Sequence, residues 1–170
     1  MPDTDPLPPA TRFVDAFVID INGIPRGKRL SAAEWPAVSA GRGVAFSASS
    51  LVLDARGHAQ GPLGIGTADG DPDAFGHPVP GQLWPVPWSD AGVAQCLLSM
   101  RAADGPIWFD CRQVLANVVA RCSADGLFAV VACELEFYLV RPGADGTPRV
   151  PAAAAGARPG DAGQDRKSVV

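Results

Sequence analysis

An α+β fold is predicted by three features of the sequence. Phe13 to Ile21 is a β-rich run that meets Asn22-Gly23, a hairpin turn signal, and returns as Ile24 to Leu30. Strand-like runs recur at Val44–Ser47 and Val93–Arg101. A single long helical pattern then follows Asp110, with Val114, Leu115, Val118, Val119 and Cys122 on one stripe.

The elements follow in order. Met1 to Arg12 is polar and Pro-rich, so residues 1–11 are expected to form a loose arm. In the first strand Phe13, Asp15, Phe17 and Ile19 share one side, and Val14, Ala16, Val18 and Asp20 the other. Ser31-Ala32-Ala33-Glu34 is a capping box, which starts a short helix that Gly41 and Gly43 end. From Ala55 to Pro87 the chain is loop-like, with short strands expected near His77–Val79 and Leu83–Val86. Ala103-Asp104-Gly105 turns the Val93–Arg101 strand, and Ile107–Phe109 extends the hairpin. Asp110 caps the helix from Cys111 to about Ser123, whose apolar stripe is expected to be buried, and Gly126 stops it. Leu127 to Val140, LFAVVACELEFYLV, is expected to be a long central strand, apolar on both faces. Isolated from partner strands, it would make the chain aggregation-prone. Arg141 to Val170 holds 7 Ala, 5 Gly and 4 Pro and no aromatic residue, so 142–170 is expected to be an unstructured tail.

Composition excludes several function classes. The 170 residues are 47% hydrophobic, so wholesale disorder is excluded. A net charge of −4 argues against a basic nucleic-acid or anionic-membrane binder. No apolar run approaches the ~18 residues of a transmembrane helix, and no signal peptide is evident, so a cytoplasmic protein is expected. Cys96, Cys111, Cys122 and Cys133 contain no C-x-x-C pair, so reduced and mostly buried thiols are expected rather than a zinc knuckle.

Chemistry is concentrated in few places. Glu134 and Glu136 lie two apart on the expected strand and would share a face. Side by side in apolar surroundings they would repel unless a hard cation, Mg²⁺ or Mn²⁺, lay between them. Otherwise both point to solvent from a half-exposed strand. Arg26 and Lys28 share a strand face and could take an anion, or simply be solvated. Phe46-Ser47-Ala48-Ser49-Ser50 is a hydroxyl-rich turn but no G-x-S-x-G nucleophile elbow. Gly61–Gly66 lacks both the Walker ending and the third dinucleotide glycine. His58 and His77, the only histidines, lie in loop-like sequence and are expected at the surface.

The ordered set FVDAFVIDINGIPRGKRL (Phe13–Leu30), FSASSLVLD (Phe46–Asp54), GDPDAFGHPVPG (Gly70–Gly81), the helix after Asp110 and VVACELEFYLV (Val130–Val140) resembles the N-terminal part of the glutamine synthetase family. The apolar-flanked E-x-E-F strand is its most specific piece, and the wording is nearest the glutamate–putrescine ligase type. The resemblance implies a β-grasp N-terminal domain over 12–109 and, over 110–141, the first helix and strand of a truncated catalytic domain. It implies a ligase that uses ATP to phosphorylate the glutamate side chain and lets an amine displace the phosphate. It makes Glu134 and Glu136 ligands of Mg²⁺ or Mn²⁺, and it implies a homo-oligomer for the full-length enzyme. Ser47, Ser49 and Ser50 match the family's amine loop, where glutamine synthetases usually read Phe-Asp-Gly-Ser-Ser. Ser47 stands at the aspartate's position, and a neutral serine neither attracts ammonium nor acts as a base. A polyamine such as putrescine is therefore expected over ammonia. The alternatives are a glutamine synthetase fragment, or a free-standing β-grasp module that binds or regulates a partner. The family's later metal ligands, catalytic histidine and substrate-binding arginines have no counterpart in this sequence, so the chain alone is expected to be inactive. Asp165 to Val170 back-translates as GAT CGG AAG AGC GTC GTG, the string of a common short-read sequencing adapter whose next triplet is a stop. Read-through over 165–170 is the expectation, with a natural hydrophilic terminus as the alternative.

Overall fold

The computed structural model describes residues 6–59, 64–66, 68–137 and 140–149. The Gly61–Gly66 motif lies partly, and the 150–170 stretch wholly, outside the described residues. The chain divides into two compact units, one ending at Phe128 and the other beginning at Ala129.

The first unit is built on a mixed six-stranded sheet. Its strands are β1 (Phe13–Ile19), β2 (Pro25–Ser31), β3 (Val44–Ser47), β4 (Asp73–Pro85), β5 (Val93–Ala102) and β6 (Gly105–Pro106). The order is β2-β1-β5-β4-β3, with β6 on β5; β1 runs parallel to β5 and the other pairs are antiparallel. This is the α+β architecture expected from the sequence. The β1–β2 hairpin turns at Asn22-Gly23 as expected, with Gly23 at φ +77°. One face of β1 (Val14, Ala16, Val18) meets Leu98 and Met100 of β5, and Trp35, Val38, Phe46 and Leu51 close the core. The helix expected after Ser31 is broken into a 3₁₀ turn (Ala32–Glu34), α1 (Trp35–Ala37) and a π turn (Val38–Arg42). The Glu34 carboxylate accepts the Ser31 N–H at 3.0 Å, and Gly41 and Gly43 leave the helix at positive φ.

Several expectations are corrected. The stretch 55–87 is not all loop, because β4 starts at Asp73 and runs 13 residues. Its prolines 78, 80 and 85 hid it. β3 pairs only with residues 73–76, so beyond Gly76 that side of β4 is an edge, where Pro needs no ladder partner. His77 therefore sits half-buried on a strand rather than in a surface loop. The arm is not loose over its described part: the Thr11 hydroxyl donates to Pro8 O at 2.6 Å, and Leu7 packs against the core. Among the cysteines only Cys96 is buried, while Cys111 and Cys133 are exposed.

Helix α2 (Cys111–Ala124) forms as expected, capped by Asp110, whose side chain accepts the Arg112 N–H at 2.9 Å. Its stripe is not buried, however: Val114, Leu115, Val118 and Val119 are exposed, Leu115 by 63%. The long strand over Leu127–Val140 is also absent from the described part, since residues 127–137 have no strand partner. A strand apolar on both faces needs neighbours on both edges and cover on both faces, and the described residues offer this one neither. In the second unit, residues expected to lie in the tail pair as a short ribbon, β7 (Arg141–Pro142) with β8 (Pro148–Arg149). Asp145-Gly146 turns it, with Gly146 at φ +78° and Asp145 bonded to Thr147 and Arg149.

Candidate functional site

The serine turn is the best-built polar feature of the sheet unit. β3 ends at Ser47 and runs into a 3₁₀ turn over Ala48–Leu51, which points the Ser47 and Ser49 hydroxyls the same way, 3.3 Å apart. Both donate to one carboxylate oxygen of Asp71, Ser49 at 3.1 Å, and the Ser49 N–H reaches the other oxygen at 3.3 Å. The Ser47 hydroxyl, then Ser49, hold the Asp71 carboxyl below the ordinary range against the opposing effect of burial. Asp71 adopts φ +50°, a left-handed conformation that a non-glycine residue occupies at a cost. Its own N–H is fixed by Gly66 O at 2.8 Å and the Asp69 carboxylate at 2.9 Å. Ser50, half-buried, shares the turn but not this cluster.

Asp71 escaped the sequence reading. Ser47 itself is neutral, yet the structure sets the Asp71 carboxylate beside it from 24 residues away. Asp71 lies in a Gly-Asp-Pro-Asp turn signal, which marks a turn without saying what the turn faces.

The other end of the turn is tied to the β1–β2 hairpin. Leu51 O accepts the Ile21 N–H at 3.0 Å, and Leu53 O accepts the Asn22 side-chain amide at 2.7 Å. Asp20 organises that hairpin. It is 1% exposed, accepts the Asn22 and Ile24 N–H groups at 2.9 Å, and pairs with Arg26 at 2.9 Å. Burial pushes its carboxyl up, but the Ile24 amide, Arg26 and the Asn22 amide outweigh it and leave it below the ordinary value. Arg26 is thus engaged by a buried acid. Lys28 lies 5.4 Å over the Phe46 ring. The anion-binding reading of Arg26 and Lys28 gains nothing from this arrangement.

Glu134 and Glu136 lie in the second unit, both exposed and in a segment without regular structure. Among the described residues, no group of three or more His, Cys, Asp or Glu side chains converges to hold a metal. The donor chemistry suits a hard divalent ion, yet two carboxylates supply only part of a shell of about six oxygens. They fit as a partial ligand set that water or further protein groups would complete. No helix among the described residues is long and apolar enough to cross a membrane.

Comparison with known proteins adds relatives. The chain is 37% identical over 133 residues to gamma-glutamylputrescine synthetase PuuA of Escherichia coli K12, covering 78% of this chain and 28% of that protein. It is 31% identical over 147 residues to a glutamine synthetase of Mycolicibacterium smegmatis, covering 83% of this chain and 30% of that protein. The chain therefore spans less than a third of either relative. A solved structure of GmaS in complex with ADP matches with a TM-score of 0.55 at 22% identity, over 68% of this chain and 24% of that one. A crystal structure of a glutamine synthase homolog matches with a TM-score of 0.56 at 23% identity, over 71% of this chain and 28% of that one. These two likenesses concern the fold. No protein-family model matches the chain.

Proposed function

We infer the function from one premise: the chain belongs to the glutamine synthetase family. The proposal is that it is the N-terminal stretch of an ATP-dependent glutamate–amine ligase, one that makes a γ-glutamyl amide through γ-glutamyl phosphate. The 37% match to a gamma-glutamylputrescine synthetase carries this reading. In it, residues 12–109 are the β-grasp domain: a hairpin, a short helical segment, and β5 returning parallel beside β1. Residues 110–141 open the catalytic domain. The exposed stripe of α2 and the exposed apolar side chains around Glu134–Glu136 are then surfaces that the remainder of that domain covers. Fully burying a Leu- or Val-sized side chain contributes about 1.5–3 kcal/mol, so leaving them in water is unfavourable.

In the intact enzyme Glu134 and Glu136 would each contribute to a Mg²⁺ or Mn²⁺ site. Such ions neutralise phosphoryl charge during transfer from ATP. The Ser47–Asp71 cluster would meet the amine. Asp71 gives the serine turn a negative charge at neutral pH, so a cationic amine is attracted although Ser47 is neutral. A carboxylate set back behind two hydroxyls leaves more room than one on the turn itself, which favours putrescine or another polyamine over ammonia. Homo-oligomerisation and a cytoplasmic setting belong to the same reading.

The test is an assay of this chain and of a longer chain that continues its reading frame. Each is given glutamate, ATP and Mg²⁺ with putrescine or ammonia, following phosphate release and the γ-glutamyl product. The short chain is expected to be silent. The longer one should turn over with putrescine at least tenfold better than with ammonia, and Asp71→Asn should raise KM for the amine more than for glutamate. Equal or better use of ammonia would replace the polyamine reading with glutamine synthetase. Turnover by the short chain would overturn its predicted inactivity.

A further inference from the structure

A cleft of about 270 Å³ lies between β4–β5 and the first turns of α2. Its strand wall is the sheet face opposite the core. The register pairs His77 with Ser99 and Phe75 with Arg101, while Gly76, Leu98 and Met100 alternate to the buried side. Its helix wall is Arg112, Gln113 and Ala116. Two guanidinium groups, Arg101 and Arg112, thus line one concavity with the His77 imidazole.

We propose that this cleft binds a phosphate-type oxyanion, gripped by the guanidinium groups of Arg101 and Arg112 with the His77 imidazole as a further donor. The proposal is independent of the ligase reading.

The ion-pair pattern is the first argument. Arg26, Arg29 and Arg42 are held by Asp20, Asp15 and Glu34. Among the described residues Arg101 and Arg112, like Arg12, Arg121 and Arg141, have no carboxylate partner, and these two line the same cleft. Unpaired cations gathered in a concavity concentrate positive potential where an anion can collect it. No Asp or Glu lines the cleft. Asp110, which contacts the wall at Ser99, is not a competing partner. It is buried, and its oxygens are occupied by the Ser99 hydroxyl at 2.8 Å and by the Met100 and Arg112 N–H groups, both at 2.9 Å.

The type of anion follows from donors and size. Arginine presents a planar fork suited to two oxygens of a carboxylate or phosphate, and two forks suit a tetrahedral ion that offers more than one pair of oxygens. The volume is near the lower end of ligand pockets, about 300 Å³, so orthophosphate or pyrophosphate fits better than a whole nucleotide. Burial, then the Arg101 charge, depress the proton affinity of His77, so its part in the site is that of an N–H donor rather than a cation.

The test titrates the 170-residue chain with orthophosphate and with pyrophosphate at constant ionic strength, chloride being the balancing anion. Amide and imidazole NMR resonances are followed. Saturable shifts at His77, Ser99, Arg101 and Arg112 are expected. Arg101→Gln with Arg112→Gln should weaken binding at least tenfold, whereas Arg121→Gln on the same helix should leave it unchanged. Tighter orthophosphate binding identifies a single-anion site, and tighter pyrophosphate binding a site for the end of a polyphosphate. If the double variant is poorly folded, the Arg112→Lys variant, which keeps the charge but loses the fork, should still bind several-fold more weakly. Linear, unsaturated shifts, or binding that survives in the double variant, would overturn the proposal. A thermal midpoint of the unsubstituted chain that rises no more in phosphate than in chloride would do the same.

Discussion

The serine turn and the Glu134–Glu136 segment carry the two halves of the proposed chemistry, and they are satisfied in opposite ways. Asp71 receives three hydrogen bonds from Ser47 and Ser49, and the turn is anchored at Leu51 and Leu53 by the β1–β2 hairpin. Glu134 and Glu136 are exposed, and their apolar neighbours Val130 and Leu135 are 95% and 80% exposed. The first half is organised by contacts within this chain, reaching across 22 to 31 residues of sequence. The second needs surfaces that the described residues do not supply. A polar site is pre-organised only where its supporting shell is present. Substitutions on the first half should therefore register in the stability of this chain, and those on the second should not.

The largest effect is expected at Asp20. Asp20→Ala removes the buried acceptor for two backbone N–H groups and leaves the half-buried Arg26 without its carboxylate partner. It should cost about 3 kcal/mol in urea unfolding. The amides of Ile21 and Asn22 should lose hydrogen-exchange protection together with the serine turn. Loss of stability without loosening of that turn would break the claimed link between hairpin and turn. A smaller loss is expected at Gly76. A Cβ there would lie 2.8 Å from Leu98 Cδ1 and 3.2 Å from Phe46 Cε2. Gly76→Ala should cost about 2 kcal/mol by overpacking, read as a lowered urea midpoint at unchanged slope.

The contrast also explains what the sequence could disclose. The β1–β2 hairpin, the capping box and the α2 start were legible because each rests on residues within a few positions of one another. β4 was obscured because three prolines argue against a strand, and only the short reach of β3 makes them tolerable. The serine turn was legible as a turn, but its charge was not, because Asp71 meets Ser47 across 24 residues. The α2 stripe and the Leu127–Val140 run show the reverse limit. Periodicity and hydrophobicity mark surfaces that demand burial, but they cannot say whether the burying partner is within reach. The E-x-E spacing singles out Glu134 and Glu136, but it does not disclose that both stand exposed in a segment without regular structure.

Asp71 sharpens the comparison through pH. Its folded pKa is depressed, as are those of Asp20 and Asp15. Each contributes stability that is present above the unfolded carboxyl value, about 3.9, and is lost as pH falls through the lower folded value. Asp71→Asn should cost about 1 kcal/mol near neutrality and flatten part of the decline below pH 4. Asp71→Gly loses the same hydrogen bonds but relieves the strain of φ +50°, so it should be less destabilising than Asp71→Ala. Equal stability of the glycine and alanine variants would mean that the conformation stores no strain.

The smallest stability effect is expected at Glu134 and Glu136, and that smallness is informative. Both carboxylates are exposed, and among the described residues neither has a hydrogen bond or ion pair to lose. Glu134→Gln, Glu136→Gln and the double variant should each change the unfolding free energy of this chain by less than about 0.5 kcal/mol. Mn²⁺ should broaden NMR resonances around both residues only weakly and at millimolar concentration, because two carboxylates fill part of the ion's shell. In a longer chain that completes the site, the same substitutions should abolish tight Mn²⁺ binding while leaving the fold intact. Tight Mn²⁺ binding by the 170-residue chain would show instead that this segment finds its remaining ligands within its own sequence, and the contrast between the two halves would fail.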